Sequence, residues 1–190
     1  MPPTETHTAA PELSIVIPAY NEQNNLAPLS AELTRVLSGL GLTWEITFVD
    51  DGSRDDSWRT IQHLHRVDPR VGGLRLSRNF GHQHALLAGL VACRGKAVIS
   101  MDADFQHPPE IIPALVARWR DGHRVVKTER QELDELPWLK RAASRAYYRV
   151  FSYLSGVELQ PGLSDFRLLD RQVLDELLRL RESGVFLRGL

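Results

Sequence analysis

Residues 97–110 read AVISMDADFQHPPE, and this stretch decides how the chain is understood. The small and apolar residues at 97–100 have the character of a buried strand, and two carboxylates, Asp102 and Asp104, follow it closely. In an open α/β sheet, ligands bind at the carboxyl ends of the strands. Carboxylate oxygens suit a hard divalent cation, Mg²⁺ or Mn²⁺, which usually also holds a phosphate. The alternative is that one acid only caps a helix that begins near Pro109.

Strand and helix patterns alternate along the whole chain. Strands are predicted at residues 13–17, 44–49, 71–76, 97–100, 125–126 and 166–169. Helices are predicted at residues 24–40, 55–67, 82–93, from 110, at 134–155 and from 171. Asn24 or Asn25 is the expected cap of the first helix, and Asp55 or Asp56 of the second. This order predicts an α/β fold with a doubly wound, mainly parallel sheet and helices on both faces.

Length and composition limit the class of protein. The 190 residues are enough for one sizeable domain, and we expect a disordered lead-in at 1–11 and a single domain over 12–190. Because residues 185–190 show no helix stop and no polar tail, we expect a natural C-terminal part to be missing. The formal net charge of −1 argues against nucleic acid as a partner. The single cysteine, Cys93, excludes an internal disulfide and is expected to fill the core.

Targeting and membrane signals are weak. No run reaches the roughly 20 apolar residues that cross a bilayer, so we expect this chain itself to be soluble. The N-terminus lacks the basic and apolar regions of a signal peptide.

Polar clusters follow two further strands. Residues 18–22 read PAYNE and residues 50–55 read DDGSRD. Because parallel strands end at one edge, these clusters should join Asp102 and Asp104 in an acidic pocket, with Tyr20 available to stack. Gly-x-Gly-x-x-Gly and Gly-Lys-Ser/Thr phosphate loops are absent from the sequence, which disfavours NAD and FAD. A diphosphate would then be neutralised mostly by a metal, so the pocket is interpreted as a metal-dependent nucleotide site.

Five motifs in fixed order carry a family resemblance: SIVIPAYNE at 14–22, VDDGS at 49–53, LSRNFGHQ at 76–83, DADFQHPPE at 102–110 and SDFRL at 164–168. Together they resemble family 2 glycosyltransferases with the GT-A fold, a Rossmann-like architecture. Within that family the chain is similar to polyprenyl-phosphate glycosyltransferases of the dolichyl-phosphate mannosyltransferase and bacterial undecaprenyl-phosphate type. The resemblance covers residues 13–190. The Asp-x-Asp pair alone is common, whereas the ordered set is specific.

The resemblance implies inverting, metal-dependent transfer of a sugar from a UDP- or GDP-sugar to a polyprenyl phosphate, in cell-envelope or glycan biosynthesis. A bound divalent cation would stabilise the charge of the leaving diphosphate. The matching positions imply nucleotide-sugar contacts from Pro18, Tyr20, Glu22, Asp50, Asp51 and Asp102. They imply Mg²⁺ or Mn²⁺ ligands at Asp102, Asp104 and Gln106, which makes Asp104 a predicted catalytic residue. The bland alternatives are a strand-to-helix turn at 18–22, capped by Asn21 and Glu22, and an ordinary turn at 50–52.

The acceptor phosphate is assigned by the same resemblance to Arg130, Ser164 and Arg167. A lipid phosphate is largely anionic at neutral pH, so it needs guanidinium partners more than a strong base. Asp165 matches the family's proposed catalytic base, and the alternative is that it orients the acceptor or binds a sugar hydroxyl. For Arg167 the alternative is a structural ion pair. A second arginine soon after Arg130 is missing at 132–134, where Arg141 or Arg145 could substitute.

The predicted helix at 134–155 carries Arg141, Arg145 and Arg149 at four-residue spacing, with aromatic residues between them. This pattern is typical of a helix on an anionic membrane surface, and equally of a core helix with a solvated basic face. We expect a location at the cytoplasmic side of the membrane, with the full-length protein anchored by its missing C-terminal part. Homo-oligomerisation is left open.

Rival functions are a nucleotidyltransferase, a non-catalytic nucleotide-sugar-binding or partner-binding domain, and a family 2 transferase with another acceptor. The first would need a basic, glycine-rich loop after the first strand, where residues 21–23 read NEQ. Chains with similar motifs use GDP-mannose, UDP-glucose, UDP-N-acetylglucosamine or UDP-aminoarabinose derivatives, so base and sugar stay open. His107 is expected to cap a helix or to hydrogen bond near the site.

Overall fold

A computed structural model describes residues 10–129 and 163–179, with the side chains of 129 and 163–165 excepted. These residues form a six-stranded sheet with helices between the strands. The strands are β1 (Leu13–Ala19), β2 (Trp44–Asp50), β3 (Val71–Arg75), β4 (Ala97–Ser100), β5 (Val125–Glu129) and β6 (Leu163–Asp170). The helices are α1 (Gln23–Ser38), α2 (Ser57–Val67), α3 (His82–Ala92), α4 (Ile112–Arg120) and α5 (Arg171–Arg179), with a 3₁₀ turn at Pro109–Ile111.

The sheet is mainly parallel, as predicted. The strand order is β3-β2-β1-β4-β6-β5, in which β1, β2, β3 and β4 pair in parallel. Only β6, among the described strands, runs the other way, and it lies between β4 and β5 and pairs antiparallel with both. As a result, β6 lies beside β4, the strand that precedes Asp102.

Helices cover both faces of the sheet, which confirms that prediction. Alternate residues of β1 point to opposite sides. Ile15 and Ile17 belong to one buried cluster with side chains from α1, α2 and α4, whereas Val16 belongs to a second cluster with side chains from α3 and α5. Helix α3 lies very close to the sheet, because a Cβ added to Gly89 would come within 2.4 Å of Val16 Cγ1.

The start of α1 differs from the prediction. The helix begins at Gln23 with Glu22 as N-cap, and no side chain caps it from within, so neither Asn24 nor Asn25 has that role. The backbone N–H groups of Glu22 and Gln23 instead donate to Ser57 Oγ at 2.9 Å and to an Asp55 carboxylate oxygen at 3.2 Å. Partners more than thirty residues away therefore satisfy two of the amides at the start of α1 that have no acceptor within the helix.

The structure bears on one more predicted segment, the lead-in at 1–11, and leaves the predicted helix at 134–155 undescribed. Pro11 is buried and its carbonyl accepts the N–H of Lys96 at 3.1 Å, so the predicted disordered lead-in is wrong at its last position. Pairing with the residue that precedes β4 orders this position. The predicted helix at 134–155 lies outside the described residues, with Arg141, Arg145 and Arg149 on it.

Candidate active site

The three predicted polar clusters lie at one edge of the sheet. Ala19 at the end of β1 is in register with Asp50 at the end of β2, and Val16 is in register with Ser100 at the end of β4. The ladder continues one step further, because Met101 N donates to Val16 O at 3.1 Å and Asp51 N donates to Ala19 O at 2.9 Å. Residues 18–22, 50–55 and 101–104 therefore meet at the carboxyl edge, as the sequence predicted.

The loops after β1 and β2 are tied together by side-chain to backbone hydrogen bonds. Asn21, in the left-handed region at φ 57°, donates its N–H to Ser53 Oγ at 2.9 Å and accepts the N–H of Arg54 at 2.9 Å. Gln23 accepts the N–H of Asp56 at 2.9 Å. Asn21 and Gln23, which flank the predicted nucleotide position Glu22, therefore hold the loop after β1 against the loop after β2. This part of the motif at 18–23 has a structural role.

The predicted nucleotide positions on β1 differ in accessibility. Pro18 is buried inside the strand, whereas Tyr20 is 39% exposed at the edge. Glu22 is half-buried and accepts a hydrogen bond from Asn25 Nδ2 at 2.6 Å. Of these three predicted nucleotide positions, Tyr20 is the one most open to solvent.

Asp50 is fully buried, and an arginine that no sequence motif marks lies beside it. One carboxylate oxygen accepts the N–H of Ser53 at 3.0 Å. The other, Oδ2, lies 3.2 Å from Arg75 Nε at the end of β3 and makes no hydrogen bond within the described part of the chain. The Arg75 side chain is half exposed, and its guanidinium lies 5.7 Å from the ring centre of Trp58. Adjacent β2 and β3 bring Arg75 here, so the ion pair could be found only once strand neighbours were known.

Asp51 is only 2% exposed and binds another segment of the chain. Its two carboxylate oxygens accept the backbone N–H groups of Phe80 at 2.8 Å and of Gly81 at 2.9 Å. The next residue, Gly52, has φ 68°, and an added Cβ would stand 2.4 Å from the backbone carbonyl carbon of Arg78. A direct contact from Asp51 to a nucleotide stays a prediction.

Asp102 lies between two histidines. His82, the first residue of α3, places Nε2 3.4 Å from one carboxylate oxygen, and His107 places Nδ1 3.8 Å from the other. The backbone N–H of Asp102 donates to His107 Nδ1 at 3.4 Å. His107 is 3% exposed and its ring lies 5.2 Å from that of Phe166 on β6. The expected near-site hydrogen bond of His107 is confirmed, whereas His82 was missed.

Asp104 and Gln106 are presented to solvent by a tight turn. Both side chains are exposed, and the exposed Phe105 between them adopts a left-handed φ of 60°. Asp104 Oδ1 accepts the N–H of Gln106 at 3.1 Å. Neither the 3₁₀ turn at Pro109–Ile111 nor α4 has a side-chain cap, so the alternative that these acids only cap a helix is wrong.

The donor set suits a hard cation that completes its shell from a ligand. Asp102, Asp104 and Gln106 provide two carboxylates and one amide oxygen within a single turn. Among the described residues, His, Cys, Asp and Glu form no group of three that could hold a metal by itself. A cation here would therefore keep open positions, as Mg²⁺ does when phosphates share its coordination.

The acceptor side is described in part. Arg167 is 8% exposed on β6, in register with Ser100, and lines a narrow space with Leu86 and Leu90 of α3. The β4–β6 pairing ends at Ser100 and Arg167, two residues before Asp102 and two residues after Asp165. The side chains of Ser164 and Asp165, and the whole of Arg130, lie outside the described residues. Their assigned roles stay predictions.

One open groove, of about 580 Å³, belongs to the opposite edge of the sheet. Trp44 at the start of β2, with Arg70 and Arg94, lines it. Arg70 is stacked on Trp44 and paired with Asp68, and Arg94 is paired with Glu45, so the groove is lined by internally paired charges. It has no part in the carboxyl-edge site.

Fold and site together define a Rossmann-like α/β domain with an acidic functional edge. A sequence model of the glycosyl transferase family 2 matches residues 14–178, and the chain belongs to that family. It is 40% identical over 179 residues to an uncharacterized glycosyltransferase of Synechocystis sp. and 34% identical over 180 residues to the bactoprenol glucosyl transferase of Shigella phage SfX. Each match covers 94% of this chain, but only 56% and 59% of the relative. The chain thus spans a little over half the length of these relatives.

Solved structures support the fold. The glucosyl-3-phosphoglycerate synthase of M. tuberculosis superposes with a TM-score of 0.58 at 24% identity, covering 85% of this chain and 58% of that one. The mannosyltransferase PcManGT from Pyrobaculum calidifontis, solved with GDP-Man and Mn²⁺, gives a TM-score of 0.54 at 20% identity, covering 90% and 47%. The predicted GT-A fold is therefore confirmed, and the family match over residues 14–178 confirms the predicted family.

Proposed function

We propose that this domain transfers a sugar, with inversion, from a nucleotide diphosphate sugar to a polyprenyl phosphate. The observation that carries the proposal is the meeting of Tyr20, Asp50 and the Asp102–Asp104 turn at the carboxyl edge of a family 2 fold. The acceptor class is supported by relatives named bactoprenol glucosyl transferase at 33–34% identity.

The donor would bind along the ends of β1, β2 and β4. Tyr20 is exposed at the mouth, and the buried carboxylate of Asp50 lies between Ser53 and Arg75. Pro18, Glu22 and Asp51 complete the proposed nucleotide positions. Asp102, Asp104 and Gln106 would hold Mg²⁺ or Mn²⁺, which when bound supplies Lewis-acid stabilisation of the leaving nucleoside diphosphate. PcManGT and a second structure of the M. tuberculosis synthase, which also contains UDP, were solved with Mn²⁺, which is consistent with this ligand class.

The acceptor would approach from the β6 side. The β4–β6 pairing ends two residues before Asp102 and two residues after Asp165, so Asp165 would act near the donor diphosphate. Because a phosphate acceptor is already anionic, Asp165 needs only to orient it or accept a weakly held proton. Arg130, Ser164 and Arg167 are the proposed acceptor-phosphate contacts.

We propose that the whole protein works at the cytoplasmic face of a membrane, where both a nucleotide sugar and a polyprenyl phosphate are accessible. In the part of the chain that the structure describes, no helix combines the length and apolar character needed to span a bilayer. Vesicle sedimentation, with and without anionic lipid, tests surface association of the 190-residue chain directly.

Transfer is tested with labelled nucleotide sugars and detergent-solubilised undecaprenyl phosphate. We expect label to move into the lipid fraction only with Mg²⁺ or Mn²⁺ present, and Asp104→Asn to abolish this. Asp56→Asn, at an exposed side chain paired with Arg59 and outside the proposed site residues, is the matched control. Metal-dependent donor binding without transfer would favour a non-catalytic binding domain, and failure of UDP- and GDP-sugars alike to bind would refute the nucleotide-sugar site.

A further inference from the structure

Strands β5 and β6 place two basic residues directly opposite each other. Lys127 on β5 is in register with Arg167 on β6. The pairing is fixed beside them by Thr128, whose Oγ1 donates to Phe166 O at 2.7 Å. Val126 packs against the cluster that α1, α2 and α4 cover, so its neighbour Lys127 lies on the other face, which carries α3 and α5. Arg167 shares that face, because directly opposed residues of a sheet do.

This pair of like charges is unfavourable for the sheet itself. Directly opposed residues have Cβ atoms about 4.5–5.5 Å apart, where opposite charges stabilise the sheet and like charges destabilise it. Lys127 forms no ion pair within the described part of the chain. Local conflicts of this kind are found where function requires them. The pair therefore favours an anionic ligand that lies against both residues.

The pair lies in one row with the end of β4. Arg167 is also in register with Ser100, the last residue of β4, and Asp102 follows two residues later. Arg167 is 8% exposed, whereas Lys127 is exposed and Val125, the preceding residue of β5 on the same face, is 42% exposed. Because β5 is the outermost strand at this side of the described sheet, a ligand can approach the row from β5 and meets Lys127 first.

The charge of this row suits a phosphate monoester. Such a group carries about 1.5–2 negative charges at neutral pH, so a single guanidinium leaves part of its charge unbalanced. An arginine offers a rigid fork of donors, whereas a lysine adds a compact charge on a flexible stem. The sequence has no second arginine at 132–134, and Lys127 can supply that charge from the strand beside Arg167.

We propose that Lys127 binds the acceptor phosphate together with Arg167. This inference rests on the proposed transfer to a polyprenyl phosphate, and it adds a residue that no family motif marks. Lys127 is the outer contact and Arg167 the inner one. Together they favour a phosphate monoester over the singly charged phosphodiester headgroups of the surrounding lipids.

A lysine on an outer strand can also serve only to discourage pairing with another chain. Lys127→Glu separates the two roles, because it keeps a charge on the strand but reverses its sign. A glutamate opposite Arg167 is favourable in a sheet, so Tm should stay unchanged or rise by up to about 4 °C. The same glutamate repels a phosphate, so acceptor binding should be lost while the fold is intact.

Acceptor binding is measured by sedimenting the 190-residue chain with zwitterionic vesicles. The vesicles contain undecaprenyl phosphate, undecaprenol, which has no phosphate, or phosphatidylglycerol, which is a phosphodiester. The unmodified chain should prefer undecaprenyl phosphate to both. Lys127→Gln should weaken this binding about tenfold, the loss of one hydrogen bond to a charged group, and Lys127→Arg by less than about threefold. Lys127→Glu should bind no better than to undecaprenol vesicles.

Lys96→Gln is the matched control, because Lys96 is exposed and directly precedes β4, at the edge of the sheet opposite to Ser100. It should leave binding to all three kinds of vesicle unchanged. Calorimetric affinity for UDP or GDP with Mn²⁺ should be the same in every variant, since Lys127 is assigned to the acceptor alone.

Unchanged affinity of Lys127→Gln for undecaprenyl phosphate would overturn the proposal. An equal loss on phosphatidylglycerol vesicles would also overturn it, because Lys127 would then be a general surface charge, and so would a fall in Tm that accompanies the loss of binding in Lys127→Glu. If the unmodified chain does not distinguish undecaprenyl phosphate from undecaprenol, the proposed acceptor itself fails, and that result is independent of every Lys127 variant.

Discussion

Replacing Asp55 by asparagine should destabilise the fold. One carboxylate oxygen accepts the N–H of Ser57 at 3.0 Å and the other accepts the N–H of Gln23 at 3.2 Å. This single side chain thus holds the first turn of α2 and the first turn of α1. Asp55→Asn retains one carbonyl acceptor but turns an NH₂ group toward the other amide, so one of the two bonds must be lost.

The expected cost follows from the kind of bond. A hydrogen bond to a charged group contributes about 1.5–3 kcal/mol when buried, and helix caps contribute about 0.5–2 kcal/mol. Because Asp55 is half-buried, water can partly replace the lost bond. We therefore expect Asp55→Asn to lower the free energy of unfolding by about 1–2 kcal/mol, which for a domain of this size is a fall in Tm of about 2–8 °C.

The loss should also depend on pH in a defined direction. Burial acts to raise the pKa of Asp55, but the side-chain and backbone hydrogen bonds from Ser57 and Gln23 outweigh it and hold the pKa below its ordinary value of 3.8. A depressed folded pKa stabilises the fold fully above the unfolded pKa, and this stabilisation disappears as pH falls through the folded value. The difference between wild type and Asp55→Asn should therefore be constant near neutral pH and shrink only below about pH 4.

Urea unfolding at a series of pH values measures this difference. The neighbouring Asp56→Asn is the matched control, because it removes the same charge from the next residue, whose side chain makes no cap hydrogen bond. It should change the free energy of unfolding by no more than about 0.5 kcal/mol. If both variants lose the same stability, the removed charge rather than the two hydrogen bonds is responsible. If the Asp55 difference persists below the folded pKa, the ionised carboxylate is not its source.

Three further results are expected. Asp104→Asn should weaken Mn²⁺-dependent binding of UDP or GDP by at least about tenfold in calorimetry. Tm should not change, because the residue is exposed and asparagine can still accept the N–H of Gln106. An unaltered metal-dependent affinity would contradict the ligand role. Gly89→Ala should lower the free energy of unfolding measured in urea titrations, since its Cβ would lie 2.8 Å from Val49 and 2.4 Å from Val16. The cost of overpacking, about 1–3 kcal/mol, exceeds the gain in helix propensity of about 1 kcal/mol. Cys93 is 5% exposed, and burial raises the pKa of its thiol. Iodoacetamide should therefore alkylate it only as fast as the protein opens. Alkylation of the native protein at the rate of a free thiol would refute this.

Local sequence patterns were sufficient to predict the strands and helices. They failed to predict contacts whose partner is distant in sequence. The alternation of strands and helices, the end of α2 before Pro69 and the strand before Asp102 all follow from residues near one another. The placement of β6 between β4 and β5 does not, because sequential strands need not be neighbours in a sheet. The same limit explains the incorrect cap of α1, whose real acceptors come from residues 55 and 57.

The candidate site shows the same division. The Asp-x-Asp pair, Tyr20 and Asp50 are identifiable from motif order and strand ends. Arg75 and His82 are not, since an arginine after a strand and a histidine at a helix start carry no signal of their partners until the sheet brings Asp50 and Asp102 beside them.

By itself, the sequence determined the family, the doubly wound class and the edge at which the candidate site lies, because hydrophobic period and ordered motifs are properties of neighbouring residues. Only the tertiary structure decided what each acid at that edge does. Asp104 is left open to solvent, Asp50 is paired with Arg75, and Asp51 is committed to the amides of residues 80 and 81. The physical reason is that burial and hydrogen-bond partners are set by strands and loops that meet across the sheet, 25 to 30 positions apart along the chain for Asp50 and Asp51.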